Sequence, residues 1–345
     1  MNSQFYDGTK LLSLLDVNGE QPEIYICTSN RSAGKTTYWN RYAVNRFIKH
    51  KEKFIILYRY KYELQDCAEK FFGEIGSLFF QEYIMTSRKI CQGIANELFL
   101  NNISCGYALA INSADQIKKF SHVFNKASVI IFDEFQSETN NYCPNEVRNF
   151  ISIHTSIARG DGKQVKRLPV IMIGNPITLL NPYYVELGIS TKLTDKTIFY
   201  RGSGFVLEQG YLDSASKAQQ SSAFNKAFSN NNYVQYSSQA VYLNDNYAFI
   251  EKPTGRSNYI ASVKYENHLY AIREYNDLGI VYCDDVADDS FKLKISLTTN
   301  DHNINYVMLK KQDMFISTLK FYFEHGCFRF KNLKCKEVIL KMLSY

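Results

Sequence analysis

An apolar run, Ile24-Tyr25-Ile26-Cys27-Thr28, passes without a break into Ser29-Asn30-Arg31-Ser32-Ala33-Gly34-Lys35-Thr36-Thr37 and then into a helical pattern. This succession of strand, small-residue loop and Gly-Lys-Thr opening a helix constrains the fold more than any other feature of the chain. It predicts an α/β sheet with helices on both faces. It also meets the needs of a triphosphate. Backbone N–H groups wrap the phosphates, the helix N-terminus adds its dipole, Lys35 neutralises β/γ oxygens and the Thr36 hydroxyl binds Mg2+. One position departs from G-x-x-x-x-G-K-[ST]: Ser29 stands where the first glycine is expected, which bears on nucleotide affinity. A plain strand-to-helix turn is the alternative reading of so short a pattern.

The rest of the first 200 residues alternates apolar runs with helical patterns in the same way. Strands are expected at 23–28, 54–59, 106–112, 128–133 and 169–175. Helical spacing over 36–50 puts Trp39, Ala43 and Phe47 on one side and Arg41, Asn45 and Lys49 on the other. Over 145–159 it aligns Val147, Phe150, Ile151, His154 and Ala158 in a stripe expected to be buried, with His154 a core histidine rather than a catalyst.

The chemistry-bearing residues cluster at the ends of these strands. Val129-Ile130-Ile131-Phe132 leads straight into Asp133-Glu134. There Asp133 can complete a Mg2+ shell and Glu134 can orient and deprotonate an attacking water; an ordinary loop start is the alternative. Ninety-eight residues separate Lys35 from Asp133, room for two further strands. That separation and the glutamate favour P-loop ATPases with an additional central strand over GTPases and nucleotide kinases. Asn175, closing Val170-Ile171-Met172-Ile173-Gly174, either senses the γ-phosphate or belongs to a Gly-Asn-Pro turn. Arg159, followed by Gly160-Asp161-Gly162, is either a mobile arginine that reaches a nucleotide site or a cation meeting its own helix dipole. Arg59 and Lys61 lie at the end of the second strand, the edge of a parallel sheet where ligands bind.

At about 150 residues per domain, 345 residues make two domains. With 45% hydrophobic and 21% charged residues, the chain has apolar material for two cores and is neither disordered, collagen-like nor a coiled coil. It has no run of 18 apolar residues, so no membrane span is expected. Residues 1–10 carry no basic patch followed by an apolar stretch, which points to a cytoplasmic protein. The eight cysteines show no C-x-x-C pair or zinc spacing and are read as reduced, mostly buried small hydrophobes.

From 211 to 233 the composition shifts to Ser, Ala, Gln and Asn, marking a domain boundary with a short helical linker. Beyond it, runs at 258–264, 269–275 and 280–283 predict an antiparallel meander. A strand at 291–297 and helices at 312–325 and 334–343 complete a small α+β domain. The net charge of +6 is concentrated at the end, where residues 306–345 hold eight basic residues against Asp313, Glu324 and Glu337. That surplus fits either a polyanion partner or a solvated helix face.

Together, Ser29 to Thr37, the Tyr58-Arg59-Tyr60-Lys61-Tyr62-Glu63-Leu64 element, Ile130-Ile131-Phe132-Asp133-Glu134-Phe135 and Arg159 resemble the DNA-packaging ATPase of phi29-like tailed phages. The resemblance implies a P-loop ATPase domain of the ASCE (RecA-like) class over 1–210, a linker over 211–240 and a C-terminal domain over 241–345. That last domain is similar to an RNase H-like nuclease without its activity. Its first strand, Tyr259-Ile260-Ala261-Ser262-Val263-Lys264, lacks the acid a metal nuclease needs, and Asp277, Asp284, Asp285, Asp288 and Asp289 read as a solvated loop.

The resemblance further implies a motor using ATP and Mg2+ to drive double-stranded DNA into a preformed capsid. It would work as a pentameric ring in the host cytoplasm, transiently at the portal vertex, with the portal and in some relatives a packaging RNA as partners. Carried over residue by residue, Lys35 and Thr36 hold phosphates and Mg2+, Asp133 completes the metal shell and Glu134 is the catalytic base. Arg159 acts in trans on a neighbour's ATP with Lys61 as a second trans-acting cation. Residues Ser29 to Thr37 and Asn175 line the nucleotide. Two other readings stay open: another ring-forming or helicase-like DNA-dependent ATPase, and a nucleotide-gated binding protein that does not hydrolyse ATP.

Overall fold

The apolar runs of the first half become strands buried on both faces. The computed structural model describes residues 5–139, 141–159, 164–179, 181–190, 192–193, 197–229, 249–309 and 313–343. The chain divides into two compact units, Met1–Asp245 and Asn246–Tyr345. Strands of the first unit are β1 (Ile24–Thr28), β2 (Lys53–Tyr58), β3 (Met85–Ile90), β4 (Ala95–Leu100), β5 (Ile103–Ala110), β6 (Ala127–Phe132), β7 (Val170–Gly174), β8 (Phe199–Gly202) and β9 (Phe205–Gln209). They form a single sheet in the order β3-β4-β5-β2-β6-β7-β1-β9-β8. The six strands from β5 to β9 in that order run parallel, and β3/β4 and β8/β9 add antiparallel pairs at the two edges.

Side-chain alternation divides each apolar run between two cores. Ile55, Leu57, Ile130, Phe132, Val170 and Met172 pack on one face, and Phe54, Ile56, Val129, Ile131, Ile171 and Ile173 on the other. The longer helices are α1 (Lys35–His50), α2 (Cys67–Phe79), α3 (Glu146–Ile157) and α4 (Asp213–Ser221). α1 covers the second face with Trp39, Ala43, Val44 and Phe47, and α3 covers the first with Phe150, Ile153 and Ile157.

The buried stripe of α3 differs in phase from the expected one. Ile151 is 50% exposed while Ile153 is fully buried. Adjacent Phe150 and Ile151 left the phase ambiguous, and an inward-facing Glu146 at the head of the helix settles it. His154 is half-buried at the rim, its Nε2 2.8 Å from the Leu168 carbonyl oxygen and 3.7 Å from Glu23. The two edge hairpins were not expected either. β3 reads Met-Thr-Ser-Arg-Lys-Ile and is exposed along its middle, the charged composition that protects an edge strand and hides it from a hydrophobic scan.

β7 lies between β1 and β6, pairing with both in parallel. One strand therefore separates the strand that leads to Gly34-Lys35-Thr36 from the one that ends at Asp133, which is the additional central strand expected. Close approach elsewhere in the sheet depends on Gly106, where a Cβ would stand 2.5 Å from the Phe54 carbonyl oxygen of β2. Gly106→Ala is expected to destabilise the unit by roughly 1–3 kcal/mol. Denaturation followed by Trp39, the one tryptophan of the chain, would read this as a lower midpoint. An unchanged midpoint would mean the β2–β5 pairing accommodates the methyl group.

In the second unit β10 (Asn258–Tyr265), β11 (His268–Tyr275) and β12 (Ile280–Asp284) form the antiparallel meander. β13 (Lys294–Ser296) adds in parallel beside β10, and β14 (Phe328–Phe330), which the sequence did not reveal, adds in parallel beside β12. Helices α5 (Met314–Glu324) and α6 (Leu333–Leu343) contribute Ile316, Leu319, Val338, Ile339 and Met342 to its core. Of the expected linker, α4 and a short helix Ala223–Ala227 occupy the first part, and 230–240 lie outside the described residues. The seven described cysteine side chains are free thiols. Among the described residues no helix is long and apolar enough to cross a membrane.

Candidate nucleotide site

β1 ends at Thr28 and α1 begins at Lys35, so residues 29–34 turn the chain from sheet to helix. The left-handed conformations fall at Ser32 (φ +61°) and Gly34 (φ +86°), and Ser29 is not among the residues with positive φ. A serine in place of the first glycine therefore carries no backbone strain. No acidic residue lies in the first turn of α1 and no side chain caps it, which leaves the positive end of the helix facing the loop.

Lys35 is buried, and its Nζ donates to the Ser29 carbonyl and Oγ (both 3.0 Å), the Asn30 carbonyl (3.1 Å) and Asn175 Oδ1 (3.2 Å). Burial holds its pKa below the ordinary lysine range. An ammonium buried among neutral acceptors is poorly compensated, and this fits the loop to an arriving polyanion. The loop is anchored from outside as well. Asn30 exchanges two 3.0 Å hydrogen bonds with the backbone of Leu212, and Gln219 of α4 donates to Ser32 Oγ at 2.6 Å. The Tyr6 N–H donates to the Ala33 carbonyl at 2.8 Å, and Arg31 is ion-paired with Glu138.

Asp133 follows β6 directly, with the Thr36 side chain beside its carboxylate. Burial pushes the Asp133 pKa up to about 6, against the pull of the Thr36 hydroxyl. A hydroxyl and a desolvated carboxylate in contact are a donor pair suited to a hard divalent cation. Glu134 projects an exposed side chain from a left-handed backbone, φ +54°, while its N–H donates to Asp133 Oδ1 at 2.9 Å. For a side-chain-bearing residue that conformation costs roughly 1–2 kcal/mol, so the surroundings must enforce it.

Arg59 is the most evident enforcer. Its Nε donates to both Glu146 oxygens (3.1 and 3.0 Å), and its Nη2 donates to the carbonyls of Glu134 (3.1 Å) and Phe135 (2.8 Å). Glu146 also accepts from the Tyr183 hydroxyl (2.8 Å) and the Cys143 N–H (2.9 Å). Sequence reasoning missed this cluster. The available signal was Glu146 itself, in phase with Phe150, Ile153 and Ile157 and therefore turned inward.

A profile of the podovirus DNA encapsidation protein (Gp16) family matches residues 1–344. The chain belongs to this family. It is 25% identical over 345 residues to the DNA packaging proteins of Bacillus phages phi29 and PZA, covering 99% of this chain and 97% of each relative. It shares its fold with the bacteriophage Phi-29 viral genome packaging motor assembly (TM-score 0.62, 23% identity, 99% of this chain and 100% of that one). The same holds for the Phi-28 gp11 DNA packaging motor (TM-score 0.64, 14% identity, 100% and 99%).

In this family member Arg159 and Lys61 stand outside the cluster just described. α3 starts beside the Glu134 turn and runs 12 residues, roughly 18 Å, away from it. At its far end the Ala158 carbonyl accepts from the Lys166 N–H (2.8 Å), and Lys166 Nζ reaches the Ala127 carbonyl (2.7 Å) where β6 begins. Arg159 is thus exposed near the opposite edge of the sheet from its own loop, its Nε on the Thr155 carbonyl at 3.2 Å. Residues 160–162 lie outside the described residues. Lys61 is exposed just beyond β2, its N–H on Asn112 Oδ1 at 3.0 Å.

Much of the basic surplus of the second unit is engaged internally. Arg329 pairs with Glu251, Lys331 with Asp285, Lys334 with Glu266 and Glu337, and Lys336 is buried. Four of the five expected loop acids are likewise tied up: Asp284 on Arg273 at 3.0 Å, Asp285 on Lys331, Asp289 on Lys294 at 3.4 Å and Asp288 on Ser290. Asp284 is buried at the end of β12 rather than in a solvated loop.

Proposed function

We propose that this family member is the ATP-driven subunit of a motor that translocates double-stranded viral DNA into a preformed capsid. The observation that carries the reading is the convergence of Lys35, Thr36, Asp133 and Asn175 where β1, β6 and β7 end, on an uncapped helix N-terminus. The loop from Ser29 to Thr37 receives the triphosphate of ATP. Lys35 exchanges its carbonyl partners for β/γ-phosphate oxygens, and Asn175, already on Lys35, stands beside the terminal phosphate. Thr36 and Asp133 would hold Mg2+, which supplies charge neutralisation on the phosphates when bound. Glu134 orients a water and takes its proton as the oxygen attacks the γ-phosphorus, the bond from that phosphorus to the β,γ-bridging oxygen breaks and ADP leaves with the bonding electrons.

Arg159 acts on the ATP of a neighbouring copy, a role supported by its place at the far end of α3 from its own loop. Lys61 is a second such cation. Both need a ring of copies, a pentamer by the family resemblance, seated on the portal of the procapsid in the host cytoplasm. DNA is gripped through phosphates without regard to sequence. We assign no nuclease activity to the C-terminal domain, because β10 carries buried Ala261, Ser262 and Val263 where a metal-binding acid would stand, and the Ser262 hydroxyl is bonded to the Asp288 carbonyl at 2.6 Å.

The test is ATP hydrolysis by the full chain with and without double-stranded DNA, in low and high salt. Turnover should rise with DNA and lose that stimulation as salt screens the phosphates. DNA-independent turnover would detach the ATPase from a DNA cargo, and strand separation on a forked substrate would reassign it to a helicase-like role.

A further inference from the structure

We propose that Arg59 is a positioning residue for Glu134: anchored on Glu146, its guanidinium holds the carbonyls of Glu134 and Phe135 and so fixes the backbone from which the water-activating carboxylate projects. This rests on the reading of Glu134 as the base.

The geometry is specific to arginine. A planar guanidinium presents donors in a fixed fork, so one edge can grip a carboxylate while another is aimed elsewhere. Here Nε donates to Glu146 at the head of α3 and Nη2 donates to two successive carbonyls, at 3.1 and 2.8 Å. Two consecutive carbonyls can converge on one donor only while the turn keeps its shape, and that shape includes the left-handed Glu134. Glu146 is held in turn by Tyr183, whose ring packs against Phe132, Phe135 and Phe150. The fork thus ties the catalytic turn to a rigid aromatic cluster. Without it, the Glu134 carbonyl and the buried Phe135 carbonyl lose a charged donor and Glu134 is free to relax toward the right-handed region, swinging its carboxylate off line.

Arg59 donates none of its hydrogen bonds to residues 29–37. Nucleotide affinity and hydrolysis should therefore part company when it is changed. A displacement of about 1 Å at a catalytic group can cost on the order of 10²-fold in rate.

A purely structural ion pair makes a different prediction. Removing both charges together leaves no uncompensated buried charge and is often neutral for stability, although the Tyr183 hydroxyl and the Cys143 N–H lose their acceptor. The experiment compares Arg59→Lys and the double variant Arg59→Met/Glu146→Leu with the unaltered full chain. It measures DNA-stimulated kcat, affinity for a fluorescent ATP analogue and the thermal midpoint. Both variants should bind the analogue as the parent does, with kcat lower by about 10²-fold. Parental kcat in either folded variant would overturn the positioning role and leave the pair structural. If the double variant does not fold, Arg59→Lys, which keeps a cation on Glu146, decides the matter by itself. Should the unaltered chain fail to hydrolyse ATP with DNA present, the functional reading falls and the positioning role with it, an outcome distinct from active parent and equally active variants.

Discussion

Glu134→Gln is expected to bind ATP as tightly as the parent and to hydrolyse it on the order of 10³-fold more slowly, within the range that a positioned general base contributes. The amide matches the carboxylate in shape, and the turn that carries it is held by backbone bonds from Arg59 and by the Phe135 N–H on the Ile173 carbonyl at 3.1 Å. None of those contacts uses the Glu134 carboxylate, so the substitution should remove the proton acceptor without disturbing the turn. Equilibrium binding combined with single-turnover hydrolysis separates the two quantities. Turnover near the parental rate would sink the base assignment and turn attention to another acceptor at the same sheet edge.

For Lys35→Ala the expected loss is in binding itself. A lysine on phosphate makes hydrogen bonds between charged groups worth about 1.5–3 kcal/mol apiece, so ATP affinity should fall by roughly 10²-fold, since 1.4 kcal/mol is a factor of ten. Stability should change far less. The variant removes a buried charge whose desolvation is unfavourable, which offsets the loss of its bonds to Ser29, Asn30 and Asn175. The pair of measurements is therefore ATP affinity and the Trp39 unfolding midpoint. Undiminished affinity would refute the phosphate role of Lys35, whatever the midpoint does. Weak affinity with a collapsed midpoint would assign the residue to loop structure instead.

Arg59 and Glu146 show where sequence reading ends. They are 87 residues apart, and each is unremarkable in its own neighbourhood, one a cation at a strand end and the other an acid opening a helix. By contrast every residue from Ile24 to Thr37 is a near neighbour of the next, so the strand, the loop and the helix announce themselves in one stretch. Asp133-Glu134 and Asn175 were visible for the same reason, each closing an apolar run. That Asn175 reaches Lys35, however, follows from β7 pairing directly with β1.

What the chain by itself determined was therefore the set of elements whose signals are local and periodic. These are the parallel core strands, α1 with its buried Trp39 face, the meander of the second unit, and the side chains displayed at strand ends. Tertiary structure alone decided the features that depend on which elements become neighbours. It set the inward phase of α3 through the Arg59–Glu146 bond, and it recruited the hairpins β3/β4 and β8/β9 to the sheet edges. It paired Lys331 and Lys334 of the C-terminal segment with carboxylates, and it put Arg159 a helix length from its own loop. The physical reason is that hydrophobic periodicity and turn chemistry act over a few residues, whereas an ion pair, a strand neighbour or a helix phase is chosen by whatever surface the folded chain presents to it.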